Sequence, residues 1–168
     1  MVKNNRQTRD IFTRNFIFGV EDSLVSTVGF LAGVAASGID RTNIILTGAI
    51  LIFVEAFSMG VGSFLSESSL EESRKIKDYF ANSIKGALTM LLSYCFFGFI
   101  VLAPYLILTS EIALVISIAV SLGLLFVLGF SSAKLLKENI WRLSWRMLLV
   151  GGLAIIIGVA VGLLLKNY

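Results

Sequence analysis

The chain has 168 residues, of which 57% are hydrophobic and only 15% charged, and its mean hydropathy is +0.89. So little polar surface cannot cover a water-soluble domain of this size, which makes lipid the main solvent. The net charge is +3, there is no histidine, and Cys95 is the single cysteine. An internal disulfide is therefore excluded, and so is the commonest transition-metal ligand. The basic residues flank apolar runs, so they read as topology signals and not as a nucleic-acid surface.

Taken in chain order, residues 1–14 form a polar, basic segment (Lys3, Arg6, Arg9, Arg14) expected on the cytoplasmic side. It does not read as a cleavable signal peptide, because the apolar run behind it is too long and no small-residue cleavage site stands out. The remainder, 15–168, is expected to be an all-α membrane domain of five spans, at about 15–39, 42–66, 86–110, 112–133 and 147–165. Each run reaches the roughly 20 residues needed to cross a bilayer as a helix. None alternates as a barrel strand would.

The links between spans 1 and 2 and between spans 3 and 4 are short. The N-terminal segment and the other two links hold twelve of the fourteen basic residues, leaving only Arg41 and Lys166 for the opposite side. The positive-inside rule then predicts a cytoplasmic N-terminus and a C-terminus outside or lumenal. Trp141 and Trp145 fall at the inner interface. The connector 67–85 carries charges of both signs and reads as helix, with span 2 continuing into the cytosol because no Pro or Gly interrupts 63–85.

Carboxylates inside such runs are costly and mark pathways or binding sites. In span 1, Asp22, Ser26, Gly29 and Gly33 share one helical face, while Glu21 points about 100° away. Gly29 and Gly33 also let a second helix approach closely, which by itself is a packing motif. In span 2, Glu55, Met59, Gly62 and Ser66 share a face. Asp22 and Met59 lie at similar depth, about 10 Å from the inner surface at 1.5 Å per residue, and Glu55 is one turn deeper. A hairpin of spans 1 and 2 would bring the three together.

Carboxylate oxygens bind divalent cations, and a thioether shifts preference toward softer ions such as Fe²⁺ over Mg²⁺ or Ca²⁺. The plain alternatives are core filler for Met59 and a neutral, hydrogen-bonded acid for Asp22 and Glu55. The same carboxylates suit proton coupling, since metal and proton compete for one site. Ser58 joins as a neighbour. Glu67 and Glu71 share a face below Met59 and either gather cations at the inner mouth or form a solvated surface, with Glu71–Lys75 as an ordinary helix ion pair.

The stretch Thr27-Val28-Gly29-Phe30-Leu31-Ala32-Gly33 behind an early acid, followed by Glu55-x-x-Ser58-Met59-x-x-Gly62-x-x-x-Ser66, resembles the vacuolar iron transporter family over about residues 15–75. The resemblance implies a homodimer that moves Fe²⁺, and often Mn²⁺, out of the cytosol by proton antiport, with Asp22, Glu55 and Met59 as the metal residues and Glu21, Ser26, Ser58, Glu67 and Glu71 as accessory positions for metal or proton. Its partners would be the bilayer, divalent metal ions, protons and a second copy, with no nucleic acid and no resident cofactor. The membrane would be the plasma membrane in a prokaryote and a vacuolar or other organelle membrane in a eukaryote.

Three features depart from the family pattern. Ser23 stands where the family has Gly, with Glu21 as an extra acid before Asp22. Ser63 stands where the family has a second span-2 acid. Between spans 2 and 3 only the short 67–85 segment remains, so this reads as a short member lacking the cytoplasmic metal-binding domain. No enzymatic nucleophile or phosphate-binding loop is apparent. The competing readings are a proton-coupled exporter of small organic cations, which leaves Met59 unexplained, and a non-transporting assembly subunit, which leaves the buried acids unexplained.

Overall fold

A computed structural model describes residues 2–73 and 79–166. They form five helices, α1 (Val2–Ala36), α2 (Arg41–Ser73), α3 (Tyr79–Ile107), α4 (Ser110–Leu136) and α5 (Ile140–Leu165), and no strand occurs among the described residues. Every one contains a stretch long and apolar enough to cross a membrane. In hydrocarbon the backbone has no water to bond, so an apolar run must close its own hydrogen bonds, which a helix does. The chain is an integral, multi-pass membrane protein.

Local chemistry sets the boundaries. The polar segment ahead of residue 15 belongs to α1, which starts at Val2. α5 opens at Ile140, earlier than residue 147, because Asn139 caps it: the Asn139 side chain accepts the Arg142 backbone N–H at 3.1 Å. The α1–α2 turn uses Gly38 at φ 85°, a conformation that favours glycine. Asp40 then caps α2 by accepting the Asn43 N–H at 3.2 Å. Pro104 lies inside α3 near its end without terminating it, and its carbonyl still accepts the Leu108 N–H at 2.9 Å. α2 continues to Ser73 and α3 starts at Tyr79, so residues 74–78 of the 67–85 connector lie outside the described residues.

α1 is the axis of the bundle and touches the other four helices. Around it α2, α3, α4 and α5 stand in an arc, each against the next, and α2 and α5 do not pack extensively on each other. One side of α1 therefore has no helix over it. Spans 1 and 2 lie antiparallel against each other as expected, with Gly48 against Leu31 and Ser63 against Asn15, but this is not the most extensive contact of either helix. The main partner of α2 is α3, and α3 also packs extensively on α1. The reason is local: a Cβ at Gly98 of α3 would lie 2.9 Å from Ile52 of α2 and 3.1 Å from Ser23 of α1, so α3 sits close against both. Arg41 reinforces the α2–α3 pair by donating its Nε–H to the Tyr105 carbonyl at 2.6 Å.

The glycine pair of span 1 finds its partner within the same chain. A Cβ on Gly158 or Gly162 of α5 would collide with the carbonyl oxygens of Gly29 and Gly33, and one on Gly33 would lie 2.6 Å from the Gly158 carbonyl oxygen. The two helices interleave by backbone contact, as small residues permit in lipid. On the opposite side of α1 the core is closed by Leu24, Leu31, Ile52, Leu102, Tyr105 and Leu125, all fully buried.

Candidate functional site

The uncovered side of α1 carries the chemistry. Two hollows run along it. One, of about 490 Å³, lies among α1, α2 and α3 toward the N-terminal end of α1 and is lined by Arg14, Phe18, Met59, Glu67 and Met90 with their neighbours. The other, of about 810 Å³, lies between α1 and α5 toward the C-terminal end of α1, from Ser26 past Gly29 and Gly33 to Ser37 and Lys166. Phe18, Asp22 and Ser26 are successive turns of one helical face, which sets Asp22 between the two hollows.

Asp22 is half-buried and lies within electrostatic reach of Glu55 on α2 and of Glu21 beside it. Among the described residues none donates a hydrogen bond or an ion pair to Asp22 or Glu55. Two carboxylates within electrostatic reach of each other repel, and a proton or a cation between them relieves the repulsion.

Tyr94 of α3 completes this group and was invisible in the sequence, where span 3 read as a charge-free apolar run. It is fully buried, and its hydroxyl shares a hydrogen bond with Ser26 Oγ at 2.5 Å. Ser23 Oγ donates to the Tyr94 carbonyl oxygen at 2.7 Å. The ring hydroxyl lies within electrostatic reach of both Asp22 and Glu55. The one available signal was a tyrosine between Ser93 and Cys95, polar atoms in a stretch that lipid alone would not ask for.

Met59 stands one turn from Glu55 on α2 and lines the 490 Å³ hollow, with Ser58 exposed beside it. Met90 of α3 lines the same hollow and was not singled out from the sequence. Glu67 is no solvated surface acid: its side chain is 3% exposed and pairs with Arg14. It is buried because α1 and α2 come together there, where Ser63 Oγ also donates to Asn15 Oδ1 at 3.1 Å. Glu21 turns the other way, lining a hollow of about 400 Å³ with Leu135 and Leu136 and lying within reach of Arg146. The Glu71 side chain lies outside the described residues. Among the described residues no three Cys, Asp or Glu side chains are grouped to hold a metal. A single chain thus presents a pair of carboxylates and an adjacent sulfur-lined hollow, not a closed ligand cage.

Comparison with known proteins places the chain in a family. The family model described as VIT family matches residues 13–78 and 71–163, two pieces that meet at the connection between α2 and α3. The chain belongs to the VIT family. A relative from Toxoplasma gondii named "Vacuolar iron transporter" is 22% identical over 234 residues, which cover 98% of this chain and 78% of the relative.

Proposed function

We propose that this protein carries a divalent transition metal, Fe²⁺ or Mn²⁺, out of the cytosol in exchange for protons, as a homodimer. The observation that carries the reading is the pair Asp22 and Glu55, set without donors on the uncovered side of α1 between two hollows. Acids so placed in lipid serve an ion path. Family membership and the name of the Toxoplasma relative support the cargo class.

The N-terminal ends of α1, α3 and α5 and the C-terminal ends of α2 and α4 share one side, and the basic residues concentrate there, which makes it cytoplasmic by the positive-inside rule. On this reading the 490 Å³ hollow is the cytoplasmic entrance. Met59 offers sulfur there, and Asp22 and Glu55 offer oxygen one step further in. A thioether beside carboxylates favours Fe²⁺ over Mg²⁺ and Ca²⁺. Protons arriving through the α1–α5 groove take the carboxylates and release the ion outward. The protonated pair then returns its protons to the cytosol. A second copy laid over the gap between α2 and α5 would exclude lipid from the acids and supply the ligands that one chain lacks, the same patch serving on both copies.

The test is transport in liposomes: uptake of Fe²⁺, Mn²⁺, Zn²⁺ and Ca²⁺ with and without a pH gradient. Fe²⁺ or Mn²⁺ uptake that an opposing proton gradient accelerates is expected. Uptake of an organic cation with no metal flux would replace this reading with that of a small-molecule exporter.

A further inference from the structure

Glu67 and Arg14 meet at the mouth of the inner hollow in an arrangement that a plain helix-to-helix ion pair does not require. The carboxylate is 3% exposed while the guanidinium side chain is 62% exposed, so one partner is fixed inside and the other reaches in from outside. Both line the hollow that also holds the thioethers of Met59 and Met90. Sulfur gives a guanidinium nothing, yet it suits a soft or borderline cation. A buried carboxylate and two sulfurs around a cavity make a binding site at which a side chain of the protein, Arg14, now holds the carboxylate.

We propose that Arg14 is a tethered counter-cation that occupies a divalent-metal entry site formed by Glu67, Met90 and Met59, and that the incoming ion displaces it. Arginine does not lose its proton, so it leaves Glu67 only by swinging outward, which its long and exposed side chain permits. Until an ion arrives, the guanidinium keeps the carboxylate neutralised and the mouth shut. The exchange swaps one cation for another at the carboxylate, so Glu67 is not left as an uncompensated buried charge, a state that is strongly destabilising. The inference rests on the transport reading above for the nature of the ion and its side of entry.

The test uses the full chain in proteoliposomes on a Cys95→Ser background, with Met59→Cys as a reporter for a cationic methanethiosulfonate reagent. Arg14→Gln and Glu67→Gln each unlatch the pair, and both are expected to speed labelling of the reporter roughly tenfold, the order expected for losing a charge-assisted contact. A labelling rate equal to the parent's in both overturns the clamp. A second measurement, with Met59 intact and Mn²⁺ alone as the probe, reads binding. Removing the competitor in Arg14→Gln tightens Mn²⁺ binding, and removing the ligand in Glu67→Gln weakens it. Loss of binding in both overturns the competition, since a purely structural pair fails the same way from either side.

Should Arg14→Gln not reach the membrane, Arg14→Lys, a less complementary donor, is expected to label faster than the parent, and an unchanged rate again overturns the proposal. A parent that transports no divalent cation while labelling still depends on Arg14 defeats the transport reading and leaves the clamp. Normal Mn²⁺ transport with labelling indifferent to Arg14 does the reverse.

Discussion

The hydroxyls of Ser26 and Tyr94 meet at 2.5 Å across the α1–α3 interface, one turn along α1 from Asp22. Ser26 also lines the outer groove, so this contact joins the acid pair to the side from which protons are proposed to come. Tyr94→Phe keeps the ring packing and deletes the hydroxyl. One net hydrogen bond is worth about 1 kcal/mol, so transport is expected to fall roughly fivefold. Metal flux in proteoliposomes, beside an unchanged amount of inserted protein, checks this. Unaltered flux would leave Tyr94 as a packing residue.

The α1–α5 ladder makes a sharper prediction about stability. Gly158→Leu drives a side chain into the Gly29 carbonyl, whereas the Cβ of Gly123→Leu on α4 meets no atom within 4 Å. Overpacking of this kind costs about 1–3 kcal/mol or more. Thermal unfolding in detergent should show Gly158→Leu clearly destabilised and Gly123→Leu near the parent.

A third prediction concerns the dimer. Gly62 of α2 also has nothing within 4 Å of a built Cβ, yet it lines the inner hollow on the uncovered side. Gly62→Leu should therefore leave the single chain folded. If a second copy covers that side, the added side chain stands in the interface and separates the subunits. Light scattering of the detergent-solubilised protein should show a monomer with parental helix content. A dimer that persists would place the interface elsewhere.

Met59 tests the choice of ion. Met59→Leu conserves volume and removes the sulfur. Preference for Fe²⁺ over Ca²⁺ should shrink more than total uptake does, as competition between the two ions in liposomes would reveal. An unchanged preference would make Met59 a filler of space.

Much of this was legible from residues alone. Apolar length marked the five helices, and acids in apolar runs marked Asp22 and Glu55 as the place to look. Helical periodicity put Asp22 and Ser26 on one face, and both were found on the same side of α1. What sequence could not supply was the order of helices around α1. Adjacent spans joined by a short turn suggest a hairpin, which forms, but Gly98 also lets α3 sit against both α1 and α2. Tyr94, Met90 and Asn15 matter only through that arrangement, because an uncharged side chain in an apolar run carries no mark of what it faces. Whether Glu67 is solvated was open in the sequence for the converse reason: its burial depends on Arg14, far away in the chain.

The central claim is that an ion and protons compete for Asp22 and Glu55. The most direct measurement is lumenal pH in proteoliposomes loaded with a pH-sensitive dye while Fe²⁺ or Mn²⁺ is added outside. Metal entry should make the lumen more alkaline in the parent, as protons leave in exchange, and Asp22→Asn at equal incorporation should show neither metal entry nor pH change. Metal entry without any pH change in the parent, or full exchange in Asp22→Asn, would contradict the account.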